Sequence, residues 1–284
     1  MLPNDILLKI FIQTNNPFKL QYVSKQFRIS IHNNKDYIAY KILQKLGFKP
    51  IVAESYILYN NFISKHNINN NLIKYTKAGC TKVVEFLLED PKANPSMNND
   101  ISIISASLYG HTEIVRLLLA DPRVNPSVDD NEPIALASYG GHYNIVKLLL
   151  EDPRVDPAAD DNVSIKSASV EGHYDVVKLL LADPRIDPSA GDNSAVIEAA
   201  REGHTEVVKL LLADPRVDPS AENNYAIRWA SKNGHNKVVK LLLTDTRVDP
   251  SANDNESIKL AYSNRHFDIV SILSMYTNSN NTYV

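Results

Sequence analysis

The chain has 284 residues, 44% hydrophobic and 22% charged, with a formal net charge of −3. That balance suits a folded soluble protein and argues against an electrostatically driven nucleic-acid binder. The single cysteine, Cys80, excludes an internal disulfide, and no uninterrupted apolar run reaches the roughly 18 residues a membrane span needs, so we expect a cytoplasmic or nuclear protein in a reducing compartment.

The N-terminal segment reads Leu2-Pro3-Asn4-Asp5-Ile6-Leu7-Leu8-Lys9-Ile10-Phe11 and continues after Pro17 with Leu20-Gln21-Tyr22-Val23-Ser24-Lys25-Gln26-Phe27. Asp5 and Lys9 interrupt its first apolar stretch, which speaks against a signal peptide. Leu-Pro opening a helix, then Ile-Leu and Ile-Phe, then Leu-x-x-Val-Ser-x-x-Phe, resembles the F-box. The resemblance implies a small helical module over residues 1–35 whose apolar face (Leu2, Pro3, Ile6, Leu7, Ile10, Phe11, Leu20, Val23 and Phe27) docks on the Skp-type adaptor of a cullin-RING ubiquitin ligase. We expect helical stretches at 36–46 and 52–64 to form a connector over 36–67 that caps the array following it. A plain capping role for residues 1–66 is the other reading, since an uncapped first repeat leaves an apolar face in water. The two roles are compatible.

From residue 68 to 276 a Gly-His pair returns every 31 residues, at Gly110-His111, Gly141-His142, Gly172-His173, Gly203-His204 and Gly234-His235, with altered copies at Gly79-Cys80 and Arg265-His266. Units so short cannot bury their own apolar faces and must stack. Within a unit, Val176, Val177, Leu180 and Leu181 share one helical face while Lys178 points away. Upstream, Ile165, Ala168 and Ser169 predict a first helix whose small residues allow close approach. Gly172 supplies the permissive backbone of the turn between the two. Asp183-Pro184 stops the second helix, because the residue before proline is pushed out of the α region. We expect 185–193 to be an extended loop.

Helix, Gly-His turn, Val-Val-x-Leu-Leu-Leu helix and loop resemble the ankyrin repeat, and Glu132-Pro133-Ile134-Ala135-Leu136-Ala137 stands where that family has Thr-Pro-Leu-His-Leu-Ala. Units of 31 residues with Asp-Pro loops are similar to the ankyrin families of giant DNA viruses. The resemblance implies an all-α helical solenoid of about seven repeats, a monomer, followed by a disordered tail at 277–284.

Four recurring features compete for chemical meaning. For the histidines, neighbouring helices pack about 8–10 Å apart whereas zinc needs nitrogens at about 2.0–2.1 Å, so we expect local capping of the turn rather than a metal ladder. Asp156, Asp160 and Asp161 lack the glycine-punctuated spacing of a calcium loop and read as solvated turns with local Asx bonding. Arg123, Arg154, Arg185, Arg216 and Arg247 each follow an aspartate by two residues, and local pairing is the expected use, a rail for an acidic partner the alternative. Asn-rich runs such as 69–71 read as compositional. No phosphate loop, nucleophile elbow or zinc-helix motif is present, so we expect no enzyme, cofactor or metal.

Positions that hold a stack together must be alike, while positions facing a partner are free to differ. The two residues before each Gly-His differ most. In ankyrin proteins these line the concave face, so the resemblance places a protein target on Tyr109, Tyr139, Arg201 and Tyr225, with Arg228, Trp229 and Lys232 nearby. Tyr225 is expected at a loop tip. The function expected is that of a substrate receptor joining a host ligase adaptor to this target, or of a scaffold that sequesters a partner without a ligase.

Overall fold

A computed structural model describes residues 68–280; residues 1–67 and 281–284, with the F-box-like assignments at the N-terminus, lie outside the described residues. Among the described residues there are fourteen α-helices and no strand. The chain divides into two compact units, residues 1–97 and 98–284.

In the first unit, α1 (Ile68–Lys77) packs on α2 (Thr81–Leu88) over the buried side chains of Leu72, Val83, Val84 and Leu87. The second unit holds six helix pairs: α3 (Met97–Leu108) with α4 (Thr112–Ala120), α5 (Val128–Tyr139) with α6 (Tyr143–Glu151), and α7 (Ala159–Val170) with α8 (Tyr174–Leu181). These are followed by α9 (Ala190–Glu202) with α10 (Thr205–Leu212), α11 (Ala221–Asn233) with α12 (Asn236–Leu242), and α13 (Ala252–Ser263) with α14 (Phe267–Asn280). First helices stack on first helices from α5 to α13, and second helices on second helices from α4 to α14, giving two parallel rows.

The core lies between the rows. Val176, Val177 and Leu180 of α8 are buried, as are their equivalents Val207, Val208 and Leu211 of α10, against Ile165 and Ala168 of α7 and Val196 and Ala199 of α9. Each fully buried aliphatic side chain contributes about 1.5–3 kcal/mol. Leu181, expected on that face, is half-buried instead, because its position has rotated toward the edge of the stripe.

Two glycine requirements meet in the turn. Gly172 has φ 74° and Gly203 φ 83°, the left-handed region that glycine enters freely. A Cβ there would also stand 2.4 Å from the His204 ring and 2.5 Å from the His235 ring respectively, each belonging to the following repeat. The glycine is thus needed by its own turn and by its neighbour.

The loops differ from expectation. Instead of running extended, each is pinned by one buried aliphatic, Val155, Ile186 or Val217 for example, and then turns sharply. Asp187 Oδ1 accepts the Ser189 N–H at 2.9 Å and its hydroxyl at 2.7 Å, an Asx turn of the expected kind that also holds the Asp187 carboxyl below its ordinary value. Three consecutive left-handed residues then open every first helix of the second unit, as at Asp160, Asp161 and Asn162 or Gly191, Asp192 and Asn193. Such a turn costs roughly 1–2 kcal/mol per residue for most L-amino acids, and Asn, Asp and Gly tolerate it best.

The third residue of the first five left-handed turns is buried and ties two repeats together, whereas Asn255 of the sixth is exposed. Oδ1 of Asn131, Asn162, Asn193 and Asn224 accepts the loop N–H of Asp156, Asp187, Asp218 and Asp249 at 2.8, 2.8, 2.6 and 2.7 Å. Asp100 does the same for Asn125 at 2.9 Å, and burial pushes its carboxyl above the ordinary value. In the first unit Asn69 accepts from Asn94 at 2.7 Å, so at least one residue of a run that reads as compositional is structural.

Candidate protein-binding surface

The ends of the first helices are fixed by the histidines. His142, His173, His204, His235 and His266 donate from Nε2 to the carbonyls of Leu108, Tyr139, Val170, Arg201 and Lys232 at 3.0, 2.8, 2.8, 2.9 and 3.0 Å. The carbonyl can only accept, which places the proton on Nε2. This corrects the expectation of local capping: none of these rings bonds a backbone N–H of its own turn, and the bond reaches back one repeat. Among the described residues no group of three or more His, Cys, Asp or Glu could hold a metal ion.

The arginines are likewise structural. Arg185 donates through Nε and a terminal nitrogen to both oxygens of Asp183 at 2.9 and 2.6 Å, and reaches the carbonyls of Val155 and Leu150 in the preceding repeat at 3.0 Å each. Hydrogen bonding to Arg185 holds the Asp183 carboxyl below its ordinary value. With those donors engaged, the guanidinium is a clasp, and the alternative of a rail for an acidic partner finds no support in the geometry.

The side chains at the stapled helix ends are of a different kind. Tyr109 and Tyr139 project with 54% and 49% of their surface exposed, too open for packing to be their purpose. Tyr225, Arg228, Trp229 and Lys232 occupy one face of α11 at i, i+3, i+4 and i+7 and form a contiguous cluster. The Tyr225 and Trp229 rings lie 5.6 Å apart, the Arg228 guanidinium stands 5.2 Å over Tyr225, and Lys232 Nζ stands 3.9 Å over Trp229. Arg228 also pairs with Glu256 of the next repeat at 2.6 Å, and Arg201 sits between Glu198 and Glu202 at 2.9 Å each. Tyr225 is not at a loop tip, since it is the first residue after the left-handed turn and already belongs to the right-handed helix.

The predicted residues therefore fall into two groups, exposed tyrosines in the second and third repeats and an ordered aromatic and cationic cluster in the fifth and sixth. Sequence comparison missed Glu198 and Glu256, whose positions carry no repeat signature. It also missed Tyr143 and Tyr174, exposed at the starts of α6 and α8; Tyr143 lines an open depression with Asp175, Lys178, Leu179 and Ala182.

A family profile described as ankyrin repeats (3 copies) matches residues 72–161, 103–192, 165–254 and 196–283. The chain belongs to the ankyrin-repeat family. No curated protein matches it. As an ankyrin-repeat chain it is a protein-protein interaction module, and its short second helices and connecting turns are scaffold for whatever the variable side chains contact. No helix among the described residues is long and apolar enough to cross a membrane.

Proposed function

We propose that this ankyrin-repeat array holds a protein target on the concave face where its first helices end, with Tyr109, Tyr139, Arg201, Tyr225, Arg228, Trp229 and Lys232 in the contact. The observation that carries the reading is the α11 cluster: tryptophan, tyrosine and arginine dominate binding hot spots, and here they are pre-ordered by a tilted ring contact, a cation on the tyrosine face and an ion pair before any partner arrives. An ordered cluster loses little side-chain freedom on binding. The finer function is that of a substrate receptor, in which residues 1–35 recruit a Skp-type adaptor and the array presents the target for ubiquitin transfer; its support is the Leu2-Pro3 to Phe27 pattern.

One interaction screen tests both parts. The whole chain should capture target, adaptor and cullin; the chain carrying Leu7→Ala with Ile10→Ala should capture target alone. Tyr109→Ala with Tyr139→Ala, both in exposed side chains, should weaken target capture by about 2 kcal/mol or more with little change in melting temperature. Undiminished target capture by that variant removes the concave-face assignment, and unchanged adaptor recruitment by the Leu7/Ile10 variant removes the receptor.

A further inference from the structure

The five stapled helix ends, taken in chain order, are Leu108, Tyr139, Val170, Arg201 and Lys232. Their carbonyls are held by the histidines of the following repeats, so the side chains rise from equivalent, fixed points along the stack. None is buried. The strip is polarised: its first three positions are apolar, with Tyr109 beside them, and its last two are cationic, with Tyr225, Arg228 and Trp229 beside them.

Charge bookkeeping within the cationic half singles out one group. Arg201 is more than neutralised, since Glu198 and Glu202 both pair with it, and Arg228 is neutralised by Glu256. Lys232 has its ammonium over the Trp229 ring, and among the described residues no carboxylate pairs with it. A cation resting on an aromatic face still has its other donor directions free for an anion.

Resting on the docking face proposed above, we infer that the target binds through an extended segment that is apolar or aromatic against Leu108, Tyr109, Tyr139 and Val170 and acidic against Lys232. Repeats stack at about 8–10 Å and an extended chain advances about 3.3 Å per residue, so roughly three residues match one repeat and about a dozen cover the strip. A carboxylate on the segment completes the Lys232 charge that the array leaves uncompensated, while an apolar side chain at the other end covers the exposed tyrosine rings.

Trp229 is the only tryptophan of the chain and lies against Lys232, so its emission reports on this end of the strip alone. The test titrates the full chain with a synthetic peptide about a dozen residues long, leucine and phenylalanine in one half and glutamate in the other. Two control peptides replace the glutamates by lysine or the apolar residues by serine. Saturable change in Trp229 emission is expected with the first peptide, with affinity about tenfold weaker for either control. Lys232→Glu should reverse the preference between the glutamate and lysine peptides, and Lys232→Gln should abolish it. Only the backbone of residue 232 serves the staple to His266, so both variants keep that bond. Equal binding of the glutamate and lysine peptides, with Tyr139→Ala weakening both, overturns the acidic specificity and leaves the docking face standing. No change in Trp229 emission with any peptide, and no effect of Tyr139→Ala, overturns the docking face itself.

Discussion

At the level of single residues, the most demanding backbone in the molecule is the left-handed turn that opens each first helix from α3 to α13. Seventeen of its eighteen positions are Asn, Asp or Gly, and the exception is Glu222, at φ 52°. Glutamate has no short side chain able to bond its own backbone there, so it bears a strain its equivalents largely avoid. Glu222→Asn should therefore raise stability by about 1 kcal/mol, read as an upward shift of the thermal midpoint, and an unchanged or lower midpoint would show that the turn is not strained. The Asn-Asp clusters were visible in the sequence but looked like solvated filler, because the left-handed conformation and the buried third side chain leave no periodic hydrophobic trace. The glycines and the Val-Val-x-Leu-Leu core stripe, by contrast, announce themselves through the 31-residue register.

Between elements, the repeats are joined by three polar devices: the histidine staple and the Asp-Arg clasp, which sequence reading assigned to single repeats, and the asparagine acceptor, which it did not single out. Each side chain recurs at the same place as its partner, so spacing alone cannot tell a bond within a repeat from one to its neighbour. The clasp makes a pH prediction. Asp121, Asp152, Asp183, Asp214 and Asp245 all titrate below their ordinary value of 3.8, chiefly through hydrogen bonds from the arginine two residues on. A carboxyl depressed in the folded state contributes stability that is present above its unfolded value and is lost as pH falls through the folded one. Asp100, raised by burial, works in the opposite sense, and it is one group against the five clasps and Asp187. The thermal midpoint should thus fall steadily as pH drops below about 4. Asp183→Asn should start lower at neutral pH and lose less on acidification. A midpoint flat from neutral to strongly acid conditions would mean that the clasps contribute nothing.

At the scale of the second unit, stability is approximately a sum of repeat and nearest-interface terms, so protection should follow how well each repeat suits its neighbours. Repeat seven departs from the pattern at three positions. Arg265 takes the left-handed place that glycine holds elsewhere, with φ 63°. Tyr262, 65% exposed, stands where Ser138, Ser169 and Ser231 are fully buried, and Ser274 replaces the last leucine of the second helix. The Tyr262 and Phe267 rings pack edge to face at 6.0 Å, a contact confined to the repeat itself. Repeats four to six, whose apolar faces and staples are matched on both sides, have no such departures. Hydrogen exchange should consequently be faster in α13 and α14 than across α7 to α12, with Arg265→Gly slowing it in the last two helices by relieving the strained turn. Uniform protection from α7 through α14 would contradict additive repeat energetics, and faster exchange in Arg265→Gly would show that the arginine stabilises the terminal repeat through contacts that outweigh its backbone cost.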